Sequence, residues 1–223
     1  MTVVPDLLAE IIEPYPMPDA GELPPNTAPW TLDPRRAVLI LLDLQNAALR
    51  AFPAGESPLT DLLRNAAALR ERCAAAGIPV AYTAQPGVMT VEQRGLLKDF
   101  WDRGAWLDPA DRAIHPDVAP RPGDWVLARK RYSAFHDTSL LWRLRESGRD
   151  QLIIAGVYGH IGILTTAVDA FTHDVQPYVV ADAIADLTAA DHRRTLHYVA
   201  ARCGVTSTTK QLLTDLPHGG DRP

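Results

Sequence analysis

The sequence predicts a three-layer α/β sandwich: a central, mostly parallel sheet with helices on both faces. Two observations carry this. Short apolar runs of strand length alternate with segments of helical periodicity, the pattern of successive βαβ units. The strongest of those runs are apolar at consecutive positions rather than alternate ones, as in strands covered on both sides.

The elements follow in order. Ala37–Leu42 (AVLILL) is the first buried strand. Leu59–Ala76 has helical spacing and stops at Gly77, a residue suited to the left-handed turn that ends helices. Ile78–Tyr82 is the second strand and Asp124–Ala128 the third. Ser139–Glu146 is helical and stops at Gly148. Gln151–Gly156 is the fourth strand, followed by a helix over Ile161–His173. Gln176–Val180, a helix over Ala189–Arg202 and a short strand at Val205–Ser207 complete the pattern.

Upstream of this pattern the composition is different. Eight of the 19 prolines fall in residues 1–34. Fixed φ angles and missing N–H groups make that stretch an extended arm, opened by a short helix at Leu7–Ile12. The expected organisation is an arm over 1–34, one domain over 35–216 and a loose tail over 217–223. The sequence leaves open whether the arm lies on its own domain, on a neighbouring subunit or on neither.

Composition narrows the function. At 223 residues, 47% hydrophobic and 22% charged, the chain suits one globular α/β domain. A net charge of -5 without a basic face does not fit nucleic acid or an anionic membrane as partner. Cys73 and Cys203 lie in helical patterns without CxxC or histidine clustering, so they read as core residues in a reducing compartment. The N-terminus has no basic-then-apolar signal, and no run approaches the ~18 apolar residues of a membrane span. The expected location is cytoplasmic.

In open parallel sheets, ligands bind beyond the carboxyl ends of the strands. Candidates are therefore Asp43 and Gln45 after the first strand, Gln85 after the second, Arg129, Lys130 and Tyr132 after the third, and Tyr158, Gly159 and Gly162 after the fourth. A carboxylate at the edge of an apolar sheet is desolvated, which favours its neutral form and suits a general acid. The plainer alternative for Asp43 is a cap on the following turn. The glycines of GVYGHIG let backbone approach a ligand, and a helix N-terminus favours anions. Taken alone, His160 reads as a structural histidine. Arg94 is a candidate to hold a carboxylate in two-pronged fashion, with a surface arginine as the plainer alternative.

Four stretches carry a resemblance: YTAQPGVMTVEQRGLLKDFW (Tyr82–Trp101), RYSAF (Arg131–Phe135), GVYGHIGILTTAVDAF (Gly156–Phe171) and VADAIAD (Val180–Asp186). In order and spacing they resemble the isochorismatase-like hydrolases from about Pro24 to Leu216. The likeness is greatest to the phenazine-pathway branch acting on 2-amino-2-deoxyisochorismate. The resemblance implies acid-catalysed vinyl ether hydrolysis that releases pyruvate and trans-2,3-dihydro-3-hydroxyanthranilate, with no metal or organic cofactor. It implies Asp43 as catalytic acid, a chorismate-derived small molecule as substrate and a homodimer as assembly. Gln45, Gln85, Arg94, Lys130, Tyr132, Tyr158 and Gly159 are the expected substrate contacts. Related amidases use a cysteine nucleophile at the position of Gly162, so covalent amide hydrolysis has no nucleophile here.

There is one departure from the family pattern. The family places a lysine three residues before the tyrosine of RYSAF, and Arg129 stands there. Side chains alternate sides along an extended segment, so Lys130 is not expected to take its place. Arginine keeps the charge but not the shape, and it does not shuttle protons. A cation beside Asp43 also favours the carboxylate over the acid. Two further readings therefore stand beside the main one: an isochorismatase giving 2,3-dihydroxy-2,3-dihydrobenzoate, and a catalytically weak relative that binds a ligand.

Overall fold

The computed structural model of the chain describes residues 12–87, 89–101 and 108–216. In chain order the elements are β1 (Ala37–Leu42), α1 (Asn46–Leu49), α2 (Leu59–Ala75), β2 (Val80–Ala84), α3 (Val91–Arg94), α4 (Pro109–Arg112) and β3 (Trp125–Ala128). They continue with α5 (Leu140–Glu146), β4 (Gln151–Val157), α6 (Leu164–Thr172), β5 (Gln176–Ala185), α7 (Ala189–Arg202), β6 (Val205–Ser207) and α8 (Thr209–Asp215). Among the described residues, the six strands form one parallel sheet in the order β3-β2-β1-β4-β5-β6. No helix there is long and apolar enough to cross a membrane.

β1 shows why a fully apolar run was required. Ala37, Leu39 and Leu41 pack on one face with Leu62, Leu69 and Cys73 of α2 and Leu212 of α8. Val38, Ile40 and Leu42 pack on the other with Leu140 and Leu144 of α5, Ala167 of α6, Leu196 and Val199 of α7, and Cys203 just after it. Each large side chain so buried contributes about 1.5–3 kcal/mol. Both cysteines are buried and unpaired.

Boundaries shift where local pattern and pairing disagree. β2 begins and ends two residues later than expected, because its ladder with β1 runs from Leu39↔Val80 to Leu42↔Thr83. β5 continues to Ala185, although Asp182 breaks its apolar run. Its register with β4 shifts between Ile154 and Gly156, and Asp182 accepts bonds from Thr209 N (2.6 Å) and Oγ1 (2.8 Å) at the start of α8. The helix expected from Ile161 begins as a wider turn over Gly159–Ile163 and becomes regular at Leu164. Helix α8 was not anticipated, although Thr208 and Gln211 form a capping box that marks it.

Where described, the arm lies on its own domain. Ile12 N donates to Ala51 O (2.8 Å), and Ile12 and Tyr15 join the α2-side core. Asn26 pairs with Thr206 of the edge strand β6 in both directions (2.9 and 2.8 Å). The Gln151 amide holds Asp33 N (2.7 Å) and Thr31 O (2.9 Å). The expected helix at Leu7–Ile12, apart from its last residue, and the tail over 217–223 lie outside the described residues.

Strand order reverses between β1 and β4, so their connections leave in opposite directions. That opens a crevice at their carboxyl ends, the standard ligand position of open α/β sheets.

Candidate active site

Asp43 follows β1 directly, and the residue is only 4% exposed. Its backbone is left-handed (φ 51°), a conformation that aspartate tolerates better than most residues. Thr83, near the end of the neighbouring strand β2, holds that geometry. Its hydroxyl donates to Asp43 Oδ1 (2.7 Å), while Asp43 N is shared between Thr83 Oγ1 (3.2 Å) and Thr83 O (3.3 Å).

The other partner of Asp43 is Arg129, the residue just past β3. The pair is bidentate: Nε donates to Oδ1 (3.1 Å) and Nη2 is paired with Oδ2. Arg129 Nη1 donates to the carbonyls of Arg131 and Tyr132, each at 2.6 Å. Burial pushes the guanidinium down to about 10, which leaves it protonated at neutral pH. The planar fork of arginine thus joins Asp43 to the turn that carries RYSAF, a job that a single ammonium does not match. That turn is also tied to α6, where Thr166 Oγ1 accepts from Ala134 N (3.0 Å).

Lys130 lies apart from this pair. It faces the surface and pairs with Asp137 (3.3 Å), because alternation turns it away from the side that Arg129 takes. Gln45 is held by backbone. Its Nε2 donates to Arg112 O (2.7 Å) and Gln85 O (3.2 Å), and its Oε1 accepts from Gln85 N (2.7 Å). The amide is thus engaged with backbone and anchors the Gln85 loop.

An aromatic wall adjoins the turn. Tyr158 stacks between Phe52 (centroids 5.9 Å apart) and Trp101 (6.5 Å), and its hydroxyl donates to Ala48 O (2.6 Å). Trp101 Nε1 donates to Tyr132 Oη (3.0 Å), and Arg94 Nη2 donates to Trp101 O. Tyr132 links the two halves of the site through its carbonyl on Arg129 and its hydroxyl on Trp101. Arg94 is buried despite its charge.

The turn after β4 completes the crevice. A Cβ on Gly159 would lie 2.6 Å from Asp186 Oδ2, so glycine there lets the Asp186 carboxylate reach His160 N (2.6 Å). Asp186 Oδ1 pairs with His160 Nδ1 (2.7 Å), which holds the imidazole above its ordinary pKa. His160 is therefore a satisfied, positioned histidine. Gly162 backs onto Arg129: a Cβ there would sit 3.5 Å from Nη1 and 3.7 Å from Tyr132 O, in ordinary contact. A side chain fits at this position, yet the chain has none there.

Asp43, Arg129, Tyr132 and Gly162 thus converge, with Tyr158 and Arg94 joined to them through Trp101. Gln85 is held through its main chain by the Gln45 amide. Three residues central to this geometry were not singled out from sequence: Thr83, Trp101 and Asp186. Thr83 was visible as the polar position at the end of VAYTA. Asp186, like Asp43, is a carboxylate that closes an apolar strand.

The chain matches the model of the isochorismatase domain over residues 37–211. It is 51% identical over 213 residues to phenazine biosynthesis protein PhzD1 of Pseudomonas aeruginosa, covering 96% of this chain and all of that one. It is 47% identical over 205 residues to the isochorismatase of Bacillus subtilis, covering 92% of this chain and 66% of the other. Among solved structures, a cysteine hydrolase from Pseudomonas syringae pv. phaseolicola shares the fold at TM-score 0.73 and 24% identity, covering 86% of this chain and 97% of that one. The chain belongs to the isochorismatase family of hydrolases.

Proposed function

We propose that this enzyme hydrolyses the enol ether of 2-amino-2-deoxyisochorismate to pyruvate and trans-2,3-dihydro-3-hydroxyanthranilate, with Asp43 as general acid. The observation that carries the reading is the buried Asp43 carboxylate at the sheet's switch point, paired with an Arg129 whose other face lies against Gly162, a position with no nucleophilic side chain. The near-full-length similarity to a phenazine biosynthesis protein supports the amino substrate over isochorismate.

An enol ether resists water until its terminal methylene carbon is protonated. Asp43 delivers that proton, the carbon becomes a methyl group, and the ether carbon becomes an oxocarbenium ion. The carboxylate left behind lies next to that cation and stabilises it. Water adds to the ether carbon and loses a proton. The resulting hemiketal breaks its bond to the ring oxygen, giving pyruvate and the ring alcohol. Arg94 and the backbone of Gly159 and Gly162 are the donors assigned to the substrate carboxylates, with Gln85 and the Tyr158–Trp101 wall orienting the ring.

Arg129 has a positioning role in this scheme. With both its edges engaged by Asp43 and two carbonyls, it is poorly placed to take a substrate carboxylate in two-pronged fashion. Because the guanidinium favours ionised Asp43, the acid must take up a proton before each turnover. The expected consequence is turnover that declines toward alkaline pH.

The direct test is pyruvate release from 2-amino-2-deoxyisochorismate and from isochorismate, followed with lactate dehydrogenase. The expected result is a larger kcat/KM for the amino substrate and a loss on the order of a hundred- to ten-thousandfold in Asp43→Asn with the fold intact. Substantial turnover by folded Asp43→Asn would remove Asp43 from its role, and a larger kcat/KM for isochorismate would reverse the substrate assignment.

A further inference from the structure

We infer that Thr83 is a positioning residue of the reaction, which selects Oδ2 of Asp43 as the oxygen that carries the transferable proton. The inference rests on the reading of Asp43 as general acid. A carboxylate offers about four lone-pair sites, two on each oxygen. Among the described residues, Oδ1 accepts from both Thr83 Oγ1 (2.7 Å) and Arg129 Nε (3.1 Å), which fills its sites. Oδ2 is paired with Arg129 Nη2 alone and keeps one site open. A proton added to Asp43 therefore goes to Oδ2 without displacing an existing bond. Protonation at Oδ1 would break one.

The hydroxyl of Thr83 suits this task because its donor and acceptor capacities both have defined uses. Its single proton goes to Oδ1, and its oxygen accepts from Asp43 N (3.2 Å). Main chain and side chain of Asp43 are thereby fixed from one neighbouring residue, in a left-handed conformation that needs such support. Thr83 is wholly buried, at the β2 position paired with Leu42, the residue immediately before Asp43.

The test uses Thr83→Val, which keeps the shape and removes the hydroxyl, and Thr83→Ser, which keeps the hydroxyl. A hydrogen bond to a charged group converts to a rate effect on the order of ten- to a hundredfold. Thr83→Val is expected to lower kcat by that factor with KM changed less than threefold, and to move the alkaline decline of turnover to higher pH, because the hydroxyl favours the ionised acid. Thr83→Ser is expected to restore both. Wild-type kcat and pH profile in Thr83→Val overturns the inference, as does a Thr83→Ser enzyme no better than Thr83→Val. Asp43→Asn, assayed alongside, reports separately on the underlying reading: if it turns over, the acid assignment fails whatever Thr83 does. A Thr83→Val protein that does not fold transfers the decision to Thr83→Ser and Thr83→Ala, where rescue by serine alone supports the hydroxyl's role and equal loss in both overturns it.

Discussion

Replacement of Arg129 by methionine keeps much of the side chain's length and removes its charge. The guanidinium makes two bonds to Asp43 and two to the carbonyls of Arg131 and Tyr132, and both members of the ion pair are 4% exposed. Removing one partner of a buried pair costs about 3–5 kcal/mol, because the remaining charge stays out of water. For a domain of this size that lowers the melting temperature by on the order of 10 °C. Arg129→Lys preserves charge but not the fork, and is expected to lose about 1.5–3 kcal/mol. Urea unfolding near pH 7.5, combined with Asp43→Asn in a double-mutant cycle, measures the coupling directly. The turnover of Arg129→Met is also expected to persist to higher pH, because the cation that favours ionised Asp43 is gone. A folded Arg129→Met protein melting within about 2 °C of wild type would refute the reasoning. So would the same loss of stability whether or not Asp43 is present.

Two further outcomes follow from the packing. His192 is buried against Ala181 O and Tyr15, and burial holds its pKa at about 4 against 6.5 in the unfolded chain. The neutral folded ring contributes fully above 6.5, and that contribution is lost as pH falls toward 4, by roughly 2 kcal/mol at about pH 5. His192→Gln is expected to abolish this part of the pH dependence in denaturant titrations, leaving the opposite contribution of His160, whose raised pKa stabilises the fold as pH falls. An unchanged dependence would show that His192 is not the group. Gly156→Ala is expected to prevent folding, since φ is +121° and the new Cβ would lie 2.1 Å from Leu42 O. Gly77→Ala, at φ +71° with open space around it, is expected to cost only about 1–2 kcal/mol; comparable soluble yield and stability for the two would contradict this contrast.

Much of this protein was legible in the residues themselves. The consecutive apolar positions of Ala37–Leu42 required a strand covered twice, and the structure divides them between two cores. The helix at Ala189–Arg202 and the strand at Val205–Ser207 have the bounds that local pattern predicts. Asp43 and the glycines of GVYGHIG stood out because polarity and backbone freedom at a strand's carboxyl end are local properties. Alternation along an extended segment likewise foretold that Lys130 would not replace Arg129.

The tertiary structure decided what depends on partners distant in sequence. Gln45 and Arg129 are both polar residues just beyond a strand, and nothing local separates them. One spends its amide on the backbone of residues 85 and 112, while the other grips Asp43 across 86 positions. Thr83 looked like one more β-branched residue until β2 was set beside β1 in register. The arm's path was likewise open, because extended proline-rich chain has the same local energy on any surface. Bonds to Ala51, Gln151 and Thr206 place it on its own domain. Periodicity measures how a segment buries its own side chains. Which buried polar atom satisfies which other is a property of the assembled sheet, and in this protein the geometry around Asp43 is made of those pairings.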